Sequence, residues 1–368
     1  MRKEMNDAVL TREERVVFAL RDLYRRYGYL PYRMSKFEEY ELYVRNKEFM
    51  VGDRVIAFND TNGKMLALKP DVTLSIIKGG EDRPGEKQKV YYDENVYRVS
   101  KSTHRFKEIR QAGLECIGDV DLYDVFETVT LAAKSLSAIG GEYRLTLSHL
   151  GLLTDALRRV SSDPAFLSEA SGCIAGKNAH DLKTTCDKFG VSSSDYDALC
   201  RLLAANFAPE DADAFLSSLP KTGAAQEIGR LAALLAASPY ADKICFDFSL
   251  TGDVNYYNGF IFKGFLRGIA SDVLSGGQYD GMMEKLGRKS RAVGFALYLD
   301  LLEALDEPET GFDVDVLLLY NEANDPREVA KTADEIRAAG KSCTAQHAIP
   351  EKLRYRELKD LRKEGKTC

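Results

Sequence analysis

Apolar residues recur at helical spacing in the first stretch of the chain, with Val16, Leu20, Leu23 and Tyr27 on one stripe. Thr11 followed by Glu14 supplies a capping box and Gly28 a stop, so the spacing predicts an amphipathic helix between them. From about 29 to 118 the period shortens. VIAF (55–58), MLAL (65–68), VYYDENVYRV (90–99) and GLECIG (113–118) read as strands of an antiparallel sheet, with NDTNG (59–63) as a hairpin turn.

Asp121 opens a second helix whose apolar face carries Leu122, Val125, Phe126, Val129, Ala132, Ala133 and Leu136. Residues of about 150–240 read as an insertion of short helices, broken near Asp163-Pro164, Gly190 and Pro220. Strand patterning returns at KICFDFSL (243–250) and YYNGFIFKGFL (256–266), and GGQYDGMMEKLG (276–287) is a Gly-rich turn entering a helix. After Glu307-Pro308, FDVDVLLLY (312–320) predicts a strand and 327–339 a helix closed by Gly340, followed by the charged tail EKLRYRELKDLRKEGKTC. The pattern therefore divides the chain into a core of 1–308 and a short C-terminal α/β segment of 309–368.

Composition narrows the chemistry. With 368 residues and 45% hydrophobic content the chain supports a full core. A net charge of −6 without a Lys/Arg-rich run lowers the expectation of nucleic-acid binding. Seven cysteines without CxxC spacing read as reduced thiols, and four histidines without HxxxH spacing predict no metal site. MRKEMNDAVLTREERVV has no signal-like apolar run and no segment approaches bilayer length, which predicts a cytoplasmic protein with no membrane partner.

Three segments place polar residues where a half-buried strand would not: LKPDVT (68–73), YRVSKSTHRFKEIRQAGLECIG (97–118) and GDVNYYNGFIF (252–262). In the second, Arg98 and Gln111 flank a charged loop with Lys101, His104, Arg105 and Lys107, a layout that closes over a phosphate or serves as a solvated hairpin tip. Gln111 and Glu115, four apart, share a strand face with Gly113. Such a pair wants either a polar ligand or each other.

These elements resemble the histidyl-tRNA synthetases. LKPDVT resembles their LRPE-x-T element, Tyr97-Arg98 the start of class II motif 2, RQAGLECIG its second strand, and NYYNG the histidine-specific RGLDYYT element. SGGQYDGMMEKLG and AVGFALYLDLL resemble GGRYDGL and motif 3, in family order over roughly residues 10–305. The resemblance implies an α+β fold: a class II synthetase-like antiparallel sheet flanked by helices, with a helical insertion and a truncated anticodon-binding-like α/β segment. It also implies a histidine pocket in which Asp71, Thr73 and Gln111 meet the amino group and Glu115 and Tyr257 the imidazole, with Tyr256 among the histidine-binding residues. Arg98 and Arg105 are the implied residual anion contacts, with no catalytic residue, metal or cofactor.

The departures all fall on phosphate handling. The motif 3 arginine aligns with Leu301, after Asp300; Tyr298 stands where the family has glycine, Ser100 replaces the acid after the motif 2 arginine, and Gly252 replaces the arginine of RGLDYYT. Leucine and glycine cannot donate to a developing phosphate charge, so adenylation is not expected. A synthetase fold without adenylation resembles the regulatory subunits that pair with short-form ATP phosphoribosyltransferase. That family implies a hetero-octamer with the short-form catalytic subunit, self-association as a dimer, and histidine as feedback effector in the first step of histidine biosynthesis. The alternatives are an active histidyl-tRNA synthetase and a histidine- or tRNA-sensing paralogue.

Overall fold

The computed structural model describes residues 10–45, 55–100, 103–251, 256–305 and 311–362. Two compact units divide the chain, Met1–Leu305 and Asp306–Cys368.

The first unit opens with α1 (Arg12–Arg26), where Thr11 and Glu14 form the reciprocal capping box and Val16, Val17, Leu20 and Tyr24 are buried. Then come β1 (Leu30–Pro31), β2 (Phe37–Glu39), α2 (Tyr40–Arg45), β3 (Ala57–Asn59), β4 (Met65–Leu68) and α3 (Thr73–Gly79). The long hairpin of β5 (Lys87–Val99) and β6 (Phe106–Gly118) leads into α4 (Leu122–Ile139), whose N-cap Asp121 makes a capping box with Asp124. After β7 (Tyr143–His149), the helices α5 (Leu150–Val160), α6 (Pro164–Ala175), α7 (Ala179–Lys188), α8 (Ser193–Ala204), α9 (Ala212–Leu216) and α10 (Gly223–Ala236) form the insertion. The chain returns through β8 (Ile244–Phe246), β9 (Phe260–Leu266), β10 (Leu274–Gln278), α11 (Asp280–Lys285) and β11 (Arg291–Tyr298), ending in a 3-10 turn at Leu299–Ala304.

Eight of these strands join in one sheet of order β1-β5-β6-β11-β10-β9-β7-β8. Its pairings are antiparallel except at the two ends, where β1 runs parallel to β5 and β8 parallel to β7. Alternation along the strands divides the residues between two faces. One face packs Tyr91, Leu114, Cys116, Phe295 and Leu297 against α1 and α4 in the main core. The other carries Tyr92, Gln111, Glu115, Gly294 and Tyr298 and faces a smaller core that includes Leu74, Tyr256, Tyr279 and Met282.

Three expectations need correction. The β-rich stretch 29–118 is not one antiparallel sheet: β2, β4 and β3 make a separate three-stranded sheet, and α2 and α3 interrupt the run. In LKPDVT only Leu68 ends a strand, because Asp71 Oδ1 accepts from the Leu74 N–H and starts α3 at Thr73. Tyr256 and Tyr257 precede β9 rather than belonging to it, so backbone pairing does not fix their rings.

The second unit holds β12 (Val314–Leu319), α12 (Pro326–Ala338), β13 (Cys343–Gln346) and β14 (Tyr355–Asp360). Both outer strands pair parallel to β12, and Leu318, Val329 and Ala333 form its small core. The segment expected as a charged tail thus contains a strand. Its alternating Arg356, Glu357, Leu358 and Lys359 suit an edge position, which tolerates charge because only one side is paired.

Candidate functional site

A cavity of about 50 Å³ opens on the sheet face opposite α1 and α4. Small residues of the central strands line it: Gly294 and Ala296 on β11, and Ser275 on β10. Large side chains from outside the central strands then close over it, with Tyr256 and Tyr257 before β9, Tyr279 before α11, and Asp71 and Thr73 at the start of α3.

Glu115 is the buried centre, 2% exposed. Thr73 Oγ1 donates to its Oε1 at 2.7 Å and Tyr279 Oη donates to its Oε2 at 2.6 Å. Burial pushes its carboxyl up to about 8; the two hydrogen bonds oppose this and the nearby Asp71 charge adds to it. Gly294 stands opposite Glu115 in the strand register, and a Cβ there would lie 1.7 Å from Glu115 Oε2. The carboxyl therefore occupies space that only glycine leaves open.

Asp71 also has its pKa raised, chiefly by burial, with the Leu74 N–H and the Arg98 charge pulling the other way. Two carboxyls in one closed cavity favour a cationic guest, since adding positive charge relieves both desolvation and mutual repulsion. Gln111 is buried at 3% exposure and lines the same wall. It does not satisfy Glu115, whose partners are Thr73 and Tyr279.

Arg98 reaches the cavity from β5, its Nε donating to the Pro70 carbonyl at 2.8 Å. Tyr298 closes the β11 end, its hydroxyl pushed up by burial while Arg98 opposes the shift. Asp71, Thr73, Arg98, Gln111, Glu115, Tyr256 and Tyr257 thus come together around one cavity. Arg105 does not: it sits exposed at the β5–β6 turn, which is closed by the Ser100 N–H to the Arg105 carbonyl at 2.9 Å. Lys101 and Gly252 lie outside the described residues.

Sequence reasoning passed over Tyr92 and Tyr279, both lining the cavity and buried. The GGQYDGM motif was the available signal for Tyr279, but only its fold onto β6 shows that the hydroxyl meets Glu115. Leu301 is not among the cavity residues and packs instead on the helix-side core. Among the described residues no group of three His, Cys, Asp or Glu side chains could hold a metal ion, and no helix is long and apolar enough to cross a membrane.

A mostly antiparallel sheet with a buried polar site on one face and helices packed on the other is the class II aminoacyl-tRNA synthetase fold. The chain belongs to the histidyl-tRNA synthetase family, whose model matches residues 3–302. A relative named ATP phosphoribosyltransferase regulatory subunit, from Lysinibacillus sphaericus, is 27% identical over 293 residues, covering 78% of this chain and 76% of its own. Among solved structures, an ATP phosphoribosyltransferase regulatory subunit/histidyl-tRNA synthetase from Bacillus halodurans superposes with TM-score 0.77 at 22% identity, over 96% of this chain and 94% of the other. A chain from the ATP phosphoribosyl transferase (HisG:HisZ) complex of Thermotoga maritima gives TM-score 0.63 at 18% identity, covering 78% of this chain and 97% of its own. At these identities the structural likenesses establish the fold.

Proposed function

We propose that this chain is the non-catalytic regulatory subunit of a cytoplasmic ATP phosphoribosyltransferase, binding free histidine and conveying it as feedback to a short-form catalytic subunit. The observation that carries the reading is the asymmetry of the cavity. Asp71, Thr73, Gln111, Glu115 and Tyr257, the positions that match the family's amino-acid contacts, line one cavity, whereas Tyr298 stands at its β11 end and Leu301, at the position of the motif 3 arginine, packs against the helix-side core. Names of relatives such as the Lysinibacillus sphaericus protein support the same partner. In this reading Glu115 and Tyr257 hold the imidazole, Asp71, Thr73 and Gln111 the ammonium, and the chain self-associates as a dimer inside a hetero-oligomer. Regulation then requires only that histidine bind one quaternary state more tightly than another.

The test is reconstitution. The purified chain, added to a short-form catalytic subunit, should raise ATP phosphoribosyltransferase activity at least tenfold and make it histidine-sensitive. Glu115→Ala should preserve the activation and lose the inhibition. Histidine-dependent pyrophosphate exchange by the chain alone would overturn the reading in favour of a synthetase.

A further inference from the structure

Among the described residues Lys69 is the buried lysine, 0% exposed, and its ammonium donates to Glu94 Oε2 at 2.9 Å. Fully buried lysines are rare, because the charge loses its hydration and a single carboxylate replaces only part of it. Burial accordingly lowers the Lys69 pKa, with Glu94 opposing the shift. Exchanging such a pair for well-packed apolar side chains often leaves stability level or raises it. Stability alone therefore does not account for the pair.

Its place in the fold does. Glu94 stands directly opposite Gln111 in the β5–β6 register, and Tyr92, two residues before it, lines the cavity. Residues two apart share a strand face, so Glu94 projects from the cavity face of the sheet. Lys69 follows β4 and leads through Pro70 to Asp71 and to Thr73 at the start of α3. This link is held against β5 by the Tyr97 N–H to the Lys69 carbonyl at 2.9 Å, by Arg98 Nε to the Pro70 carbonyl at 2.8 Å, and by the ion pair. Asp71 in turn caps α3 through the Leu74 N–H, so the start of that helix moves with the link. The ion pair thus ties the segment that carries Asp71 and Thr73 to the strand position facing Gln111.

On the reading that this cavity takes histidine, we infer that Lys69 and Glu94 are positioning residues for the ligand's ammonium: their ion pair holds Asp71 and Thr73 at the separation from Gln111 that acceptors around one ammonium require. Neither side chain lines the cavity. Charge and position predict opposite results here. Removing the Lys69 ammonium makes the surroundings more negative, which by itself favours a cationic guest, whereas releasing the link disperses the acceptors and weakens it.

Calorimetric titration of histidine, and of imidazolepropionate, which lacks the ammonium, into the full chain tests this. The variants are Lys69→Met, Lys69→Arg, Glu115→Ala and the double exchange of Lys69→Met with Glu94→Leu, each checked for folding by urea unfolding. The double exchange removes the pair without changing net charge and should keep roughly the parent's stability. It should weaken histidine about 10- to 100-fold, the scale of one charge-assisted hydrogen bond, and imidazolepropionate by less than about threefold. Lys69→Met should weaken histidine in the same direction, against its charge effect. Lys69→Arg keeps a donor for the carboxylate and should restore histidine to within about threefold of the parent. Parent-like histidine affinity in the folded double variant, or equal weakening of both ligands, overturns the positioning role alone. If the double variant does not fold, the single exchanges decide: histidine binding that strengthens in Lys69→Met, or that is no better in Lys69→Arg than in Lys69→Met, overturns it too. No histidine binding by the unsubstituted chain, or unaltered binding by Glu115→Ala, overturns the histidine reading and this inference with it.

Discussion

The two faces of the central sheet are built from the same strands yet follow opposite rules. Toward α1 and α4, β6 and β11 present Leu114, Cys116, Phe295 and Leu297, all at most 2% exposed, and Tyr24 meets Tyr91 and Phe295 edgewise or tilted. Toward the cavity, the intervening residues are Gln111, Gly113, Glu115, Gly294, Ala296 and Tyr298. The first face removes apolar area from water and stabilises the fold. The second keeps buried polar groups and empty volume, arrangements that oppose stability and persist at ligand sites. Alternation along a strand lets one element do both, because neighbouring residues never share a surface.

Substitutions on the two faces should therefore fail differently. The largest expected effect is on the helix side: Leu114→Ala should lower unfolding free energy by about 2–5 kcal/mol in urea, through lost burial and the void left behind. A loss below about 1 kcal/mol would mean that this face is not the main source of stability.

Glu115→Gln should behave oppositely. The folded-state pKa of Glu115 is raised from 4.5 to about 8, so between these values the folded chain holds more protons than the unfolded one. Stability should fall as pH rises through that window, by at most about 1.4 kcal/mol per pH unit, and level off above it. Glu115→Gln should remove that component of the slope and match or exceed the parent in stability at pH 8. An identical pH dependence in both proteins, followed by urea midpoints from pH 5 to 9, would show the carboxyl to be ionised throughout.

The smallest effect sharpens the contrast. Tyr24 is a polar group on the apolar side, its hydroxyl 3.0 Å from Ser135 Oγ. Tyr24→Phe keeps the ring and should cost about 1 kcal/mol, an ordinary hydrogen bond, without altering ligand affinity. Thermal unfolding alongside a histidine titration separates the two readouts.

Much of this contrast was legible in the residues. Thr11 with Glu14, and Asp121 ahead of an apolar stripe, announce helices because capping is local and repeats over several turns. The spacing of Gln111, Gly113 and Glu115 placed them on one face for the same reason. The short elements escaped: α3 begins within LKPDVT through one Asp71 contact, and β14 reads as a charged tail until β12 lies beside it. Two- to six-residue strands hold too few periods for a pattern to emerge, so their pairing depends on what the rest of the chain brings alongside.

The sequence by itself determined the long helices, the strand faces and the residues able to line a polar site, because these depend on periodicity and chemical type. Tertiary structure alone decided which of them meet. Tyr279 reaches Glu115 across 164 residues, Gly294 vacates the volume that the carboxyl fills, Arg98 is turned inward by the Pro70 carbonyl, and Arg105 is left in solvent. Those outcomes depend on register and on close packing between distant segments, and neither is written in local spacing.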